Sequence, residues 1–276
     1  MTKSSPAPLA SVPPARLAAL RWVLTDIDDT LTTEGVLTAE AYAAIARLTA
    51  AGIRVVPVTG RPAGWCDLIA RQWPVAAVVG ENGALWYAYD APSRRMRRWH
   101  AEDDATRIAK AARLHALAED AMREVPGTAI AADQPFRLFD VAVDFAEDVG
   151  PFAIADAERI AEKFRAGGAS AKVSSIHVNA WMGDWDKRAG LGALFEALWQ
   201  PLDSVLDQVA YLGDSPNDSP LFAAIPLSVG VANVLPFLPT MPAPPAFVTK
   251  ASAGEGFCEF AAALLEARAR TGRTTP

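Results

Sequence analysis

The stretch "VLTDIDDTLT", residues 23–32, decides the reading of this chain. An apolar, strand-like run ends abruptly on Asp26, Asp28 and Asp29, three carboxylates within four residues. Like charges this close repel strongly unless something compensates them. A divalent cation and a lysine would supply that compensation. The stretch therefore reads as a strand whose carboxyl end opens onto an ionic site.

Working outward, strand-like runs alternate with helix-like segments. "RWVLTD" leads into "TAEAYAAIARLTAAG", with Thr38 as N-cap and Gly52 as stop. "IRVVPVTG" leads into "PAGWCDLIARQW", with Pro62 at the start of the helix, where its missing N–H is tolerated. "VAAVVG" follows, and much later "VAYLGD", "PLSVGVA", "AFVTK" and a final helix "GFCEFAAALLEARAR". Continuous Val/Ile/Ala runs between helices predict a parallel sheet buried on both faces.

Between about Leu85 and Asp186 the rhythm breaks. "ALWYAYD" and "RRMRRWH" read as a hairpin, and "FRLFDVAVDF" and "AKVSSIHVNAWMG" as half-exposed strands, with helices at about 105–123 and 154–166. Antiparallel strands with helices on one side predict a separate α+β unit inserted in the core. The expected division is a disordered segment 1–20, a core of 21–85 and 184–270, and an inserted unit 86–183.

In an open parallel sheet, ligands bind at the carboxyl ends of the strands. Asp26, Thr59, Glu81, Asn82 and Asp214 all follow strand-like runs, so they should converge on one rim. Lys187 enters from the junction with the insertion. Asp26 and Asp214 together make a hard oxygen pocket suited to Mg²⁺. A nearby lysine holds a phosphoryl group as a point charge. Thr59 and the Thr59–Gly60 amides suit its remaining oxygens.

In that order, "DIDDT", "VTGRP", "DKRAG" and "GDSPND" resemble the four motifs of the haloacid dehalogenase superfamily. "GENGA" and "VTKASAGEG" resemble its Cof-type, sucrose-phosphate-phosphatase-like branch. The resemblance spans about Arg21 to Arg268. It implies an α/β, doubly wound parallel-sheet (Rossmann-like) core with an inserted α+β cap. It also implies Mg²⁺-dependent hydrolysis of a small phosphate monoester, such as a sugar phosphate, through an aspartyl-phosphate. Asp26 would be the nucleophile and Asp28 the general acid/base. The metal would be held by Asp26, the Asp28 carbonyl and Asp214, with Asp218 supporting it. Thr59, Gly60, Lys187 and Asn217 would bind or support the phosphoryl group. Asp29 and Ser215 stand where this family often has glycine.

Other readings follow from the same residues. A phosphomutase would return the phosphoryl group to another hydroxyl, and a non-enzymatic phospho-receiver also combines an aspartate, a Thr/Ser and a lysine. Asp28 and the insertion argue against the receiver. The arginines at 94, 95, 97 and 98 read as a solvated hairpin face, His177 and Asn179 as sheet residues sharing one side, and Trp181 and Trp185 as packing residues.

With 276 residues there is room for a core and a second unit. A net charge of −6 provides no global field to attract nucleic acid. Two cysteines make no disulfide framework, and no run reaches the roughly 20 apolar residues of a membrane span. The expectation is a cytoplasmic enzyme of a small phosphorylated metabolite, without nucleic-acid or membrane partners.

Overall fold

The computed structural model describes residues 5–272. The chain begins with β1 (Ala7–Pro8), α1 (Pro14–Ala18), β2 (Trp22–Thr25), α2 (Ala39–Ala50), β3 (Arg54–Pro57), α3 (Ala63–Gln72) and β4 (Val78–Gly80). A hairpin of β5 (Leu85–Asp90) and β6 (Arg95–His100) follows, then α4 (Asp104–Glu124), β7 (Ala129–Ile130) and β8 (Asp140–Asp144). Next come α5 (Ile154–Ala166), β9 (Ser170–Val173), β10 (His177–Trp181) and α6 (Lys187–Leu198). The chain closes with β11 (Val209–Gly213), α7 (Ser219–Ala224), β12 (Leu227–Gly230), β13 (Phe247–Val248) and α8 (Ala253–Thr271).

Six strands form the main sheet in the order β1-β13-β12-β11-β2-β3, all pairs parallel. Period-two alternation sends neighbouring side chains to opposite faces. Val23 packs into the cluster beneath α1, α2 and α8, while Trp22 and Leu24 pack into the one beneath α6 and α7. Burial on both faces explains the unbroken apolar runs. At the centre, β2 and β11 end side by side, Thr25 opposite Leu212, which brings Asp26 and Asp214 to adjacent strand ends.

The second sheet, β7-β8-β10-β9, is antiparallel. Its apolar face, with Val141, Val143 and Val178, packs on α4 and α5. Asp140, Asp144, His177 and Asn179 alternate with those residues and so take the other face. The hairpin β5–β6 is not part of this sheet. It pairs antiparallel with β4, and Val79 of β4 bridges in parallel to Val58, so the hairpin continues the core side.

Residues 5–20 depart from the expected disorder. β1 pairs with β13, and Leu9, Val12 and Leu17 are buried in the core. Their proline-rich setting hid three apolar anchors spaced to reach the sheet edge and α8. Residues 1–4 and 273–276 lie outside the described residues.

Gly83 fixes the junction. Its φ is +105°, and a Cβ there would lie 1.9 Å from the Asp186 carbonyl oxygen. Gly190 lets α6 approach in turn, since its own Cβ would lie 2.6 Å from the Gly83 Cα. This contact seats the first turn of α6, where Lys187 is the first residue and Asp186 caps the helix by accepting from the Ala189 amide. Gly83→Ala is therefore expected to destabilise the fold by about 2–4 kcal/mol, from overpacking plus a left-handed alanine. Urea unfolding with an unchanged m-value would measure it.

Candidate active site

Three carboxylates, Asp26, Asp214 and Asp218, offer oxygens within 4.8 Å of one another, and all three residues are buried. Lys187 reaches in from α6. Its Nζ lies 3.0 Å from Asp26 Oδ2 and 2.8 Å from Asp218 Oδ1. Burial alone would lower the ammonium's pKa, but Asp218 and Asp26 outweigh it and hold the pKa raised. Burial, against the pull of Lys187, pushes Asp26 up to about 7, with Asp218 and Asp28 adding to the rise. Asp214 is pushed well above the usual carboxylate range by burial, then by Asp218, Asp26 and Asp29.

Each carboxylate is placed differently. Asp26 Oδ1 accepts from the Ile27 amide, leaving Oδ2 to Lys187. Asp214 accepts from the Thr30 hydroxyl and, at 3.4 Å, from Asn233 Nδ2. Asp218 is fully engaged by protein. One oxygen accepts from Lys187 and the Tyr211 hydroxyl, the other from the Asp214 and Ser215 amides. Asn217 lines the cavity and accepts from the Ser215 hydroxyl.

Asp28 stands apart from that cluster. Arg61 grips it, Nε donating at 3.1 Å to both carboxylate oxygens and Nη2 at 2.9 Å to Oδ1. The same Nη2 donates to Glu147 Oε1 at 2.9 Å, beyond β8. His177 Nε2 lies 2.9 Å from Glu147 Oε2, within ion-pair distance though not aligned as a hydrogen bond. Asp29 has φ +55°, a left-handed conformation that explains why glycine suits that position.

Thr59 is buried, and its hydroxyl accepts from the Arg61 amide. Its own amide donates to Val79, so of the two amides expected at this turn, that one is committed to the sheet. Gly60 lines the cavity and its carbonyl accepts from Arg137. A Cβ on Gly60 would lie 3.2 Å from Asn82 Nδ2. That amide nitrogen is buried without a hydrogen-bond partner, in a residue lining the same cavity. Asn82 thus stands at the rim where its strand end placed it, and His177, Asn179, Arg61 and Asn233 are candidate site residues beyond the predicted set. The alternation of His177 and Asn179 signalled their shared face, but not what that face covers.

The second sheet's polar face overlies the site, with Ser174, His177 and Asn179 lining the cavity opposite Asp26, Asp28 and Asp214. Besides the Arg61–Glu147 pair, two ties hold it there. Arg137 is fixed by Asp133 and Asp140 and donates to Gly60. Glu81 is fully buried and accepts four amides, from Ala63 of α3 and from Leu138, Phe139 and Asp140. Burial, and then Asp140, push Glu81 up to about 7, while the amides and Arg137 favour its ionised form.

A family model described as haloacid dehalogenase-like hydrolase matches residues 23–117. No curated protein matches. Solved structures share the fold across most of the chain. The trehalose-6-phosphate phosphatase C-terminal domain of C. albicans is 12% identical with a TM-score of 0.70, covering 96% of this chain and 99% of that one. A haloacid dehalogenase-like hydrolase from Bacteroides thetaiotaomicron is 14% identical, TM-score 0.60, covering 88% and 98%. The sucrose-phosphatase of Synechocystis sp. PCC6803, solved with sucrose and phosphate, is 14% identical, TM-score 0.58, covering 88% and 97%. At these identities the likeness is one of fold.

The Glu81 knot can be tested directly. Glu81→Gln puts an NH₂ where two amides now donate, leaving buried donors unpaired. It is expected to cost about 2–4 kcal/mol in chemical denaturation. Hydrogen exchange should quicken at residues 138–140.

Proposed function

We propose that this haloacid dehalogenase-like chain hydrolyses small phosphate monoesters with the help of a divalent cation, through an aspartyl-phosphate on Asp26. The observation that carries the reading is the buried cluster of Lys187 with Asp26 and Asp218, beside Asp214 and two residues from Asp28. A phospho-receiver would need no second carboxylate held at the cavity wall, as Arg61 holds Asp28.

The donor set fits a hard cation such as Mg²⁺, because the buried negative charge of Asp26 and Asp214 exceeds what Lys187 neutralises. The carboxylates of Asp26 and Asp214 and the Asp28 carbonyl would hold it. Asp218, whose oxygens are occupied, would act through Lys187 instead. Bound there, the ion would supply charge neutralisation for the transferring phosphoryl group.

The chain's own groups do the rest. Lys187, Thr59, Gly60, Asn217 and Asn82 orient the phosphoryl oxygens. Asp26 Oδ2 attacks phosphorus as the bond to the alcohol oxygen breaks, and Asp28 gives that oxygen a proton. Water then attacks the same phosphorus and yields its proton to Asp28. Phosphate leaves and the Asp26 carboxylate is regenerated. The second sheet acts as a cap from about residue 102, after the hairpin, to 183, and excludes bulk water while closed. Its polar face, with Ser174, His177 and Asn179, supports a hydroxylated leaving group such as a sugar.

Two measurements test this reading. Asp28→Asn keeps the nucleophile but loses proton transfer, an effect worth about 10²–10⁴-fold. Given an activated aryl phosphate it should accumulate protein one phosphoryl group heavier, and Asp26→Asn should not. Intact-mass spectrometry after acid quench decides; a phosphorylated Asp26→Asn protein would displace Asp26 as nucleophile.

The second is thermal. Folding raises Asp26 from 3.8 to about 7, so the metal-free fold binds that proton more tightly than the unfolded chain. That stability is present at low pH and is lost as pH rises through 7. The Tm gain on adding Mg²⁺ to EDTA-treated protein should therefore be larger at pH 8 than at pH 5.5. Equal gains would remove the two-aspartate metal site.

A further inference from the structure

The cavity above Asp26 has a volume of only about 20 Å³, room for roughly one water. Beside it lies an apolar cavity of about 440 Å³, within the usual range of small-molecule sites. Asp28 lines both. The second cavity is walled by Leu37, Trp65, Leu68 and Trp73 of the core and by Phe136 of the inserted unit.

Its walls are apolar yet open to solvent. Trp65 is 41% exposed, Leu68 51% and Phe136 55%. Large side chains left exposed together mark a binding surface. The guanidinium of Arg61 lies 4.4 Å from the Trp65 ring centroid, and the same group grips Asp28. One side chain thus orients both the aromatic wall and the carboxylate. Phe136 arrives through a close approach to α3, since a Cβ on Gly64 would lie 2.9 Å from the Phe136 Cβ. The cavity is therefore complete only when the inserted unit is docked on the core.

We propose that this cavity binds the alcohol half of the substrate when that half is apolar, so that aryl and branched-alkyl phosphate monoesters are substrates. The proposal rests on the phosphoryl-transfer reading above. An ester oxygen within reach of Asp28 has two directions for its substituent. Toward the second sheet it meets polar groups; toward Trp65 and Leu68 it enters this cavity. Neither a polar ligand nor bulk water gains from an indole, a leucine and a phenyl ring, whereas an aryl group buries its area against them. A protein partner would not need Asp28 in the wall.

The test compares wild type with Leu68→Glu, a change on an exposed helix position. The ratio of kcat/KM for 1-naphthyl phosphate to that for glycerol 1-phosphate should fall at least about tenfold. Binding of a non-hydrolysable naphthyl phosphonate, followed by Trp fluorescence, should weaken in parallel. If neither ester is hydrolysed but the phosphonate still binds wild type and not Leu68→Glu, the cavity stands and the phosphatase reading falls. If esters are hydrolysed with an unchanged ratio, the cavity assignment falls and the phosphatase reading stands. A dimer that Leu68→Glu dissociates, with the ratio unchanged, would make the patch an interface between copies and overturn the proposal.

Discussion

The buried ammonium of Lys187 is what lets the strand ends coexist. Asp26, Asp214 and Asp218 crowd within 4.8 Å, and without a cation among them burial and mutual repulsion would favour their protonated forms. Lys187 satisfies two of the three at hydrogen-bond distance. Its own position depends on α6 starting where it does, which depends on Gly83 and Gly190 passing each other without side chains. A backbone-to-backbone contact thus sets the ionic geometry.

The inserted unit is tied down by a different kind of interaction. Val141, Val143 and Val178 of its sheet are occupied by α4 and α5, while Phe139 and Trp181 join the core's own apolar cluster. Beside that apolar contact stand ionic and directional ones: Arg61 to Glu147, Arg137 to Gly60, Glu81 to three successive amides. Buried ties of this kind are specific in geometry and contribute little net stability after desolvation. They fix the direction in which the unit docks on the core.

The strand runs and the convergence of their ends on one rim were legible because both-face burial leaves a plain signature, an uninterrupted apolar run ending in a polar residue. The hairpin at 85–100 was legible as a hairpin, but not which sheet it joins. Pairing partners are set by register with β4, and alternation along one strand does not name the neighbour. The N-terminal residues were misread because proline content suggested disorder, while Leu9, Val12 and Leu17 find the edge of the sheet only in three dimensions.

What the sequence determined by itself was the chemistry available: a cluster of aspartates, a lysine and a threonine, each at the end of a predicted strand or at a junction. Local pattern suffices there because a parallel sheet brings its strand ends to one rim. What only the tertiary structure decided was which oxygen faces which group. Asp218 proves to be occupied by four donors, Asp28 to be held by Arg61, and Asn82 Nδ2 to be left unpartnered. Those outcomes depend on residues 31 and 33 positions apart, Lys187 with Asp218 and Arg61 with Asp28, meeting at hydrogen-bond distance. A hydrogen bond is sensitive to tenths of an ångström, and no sequence spacing carries that information across a fold.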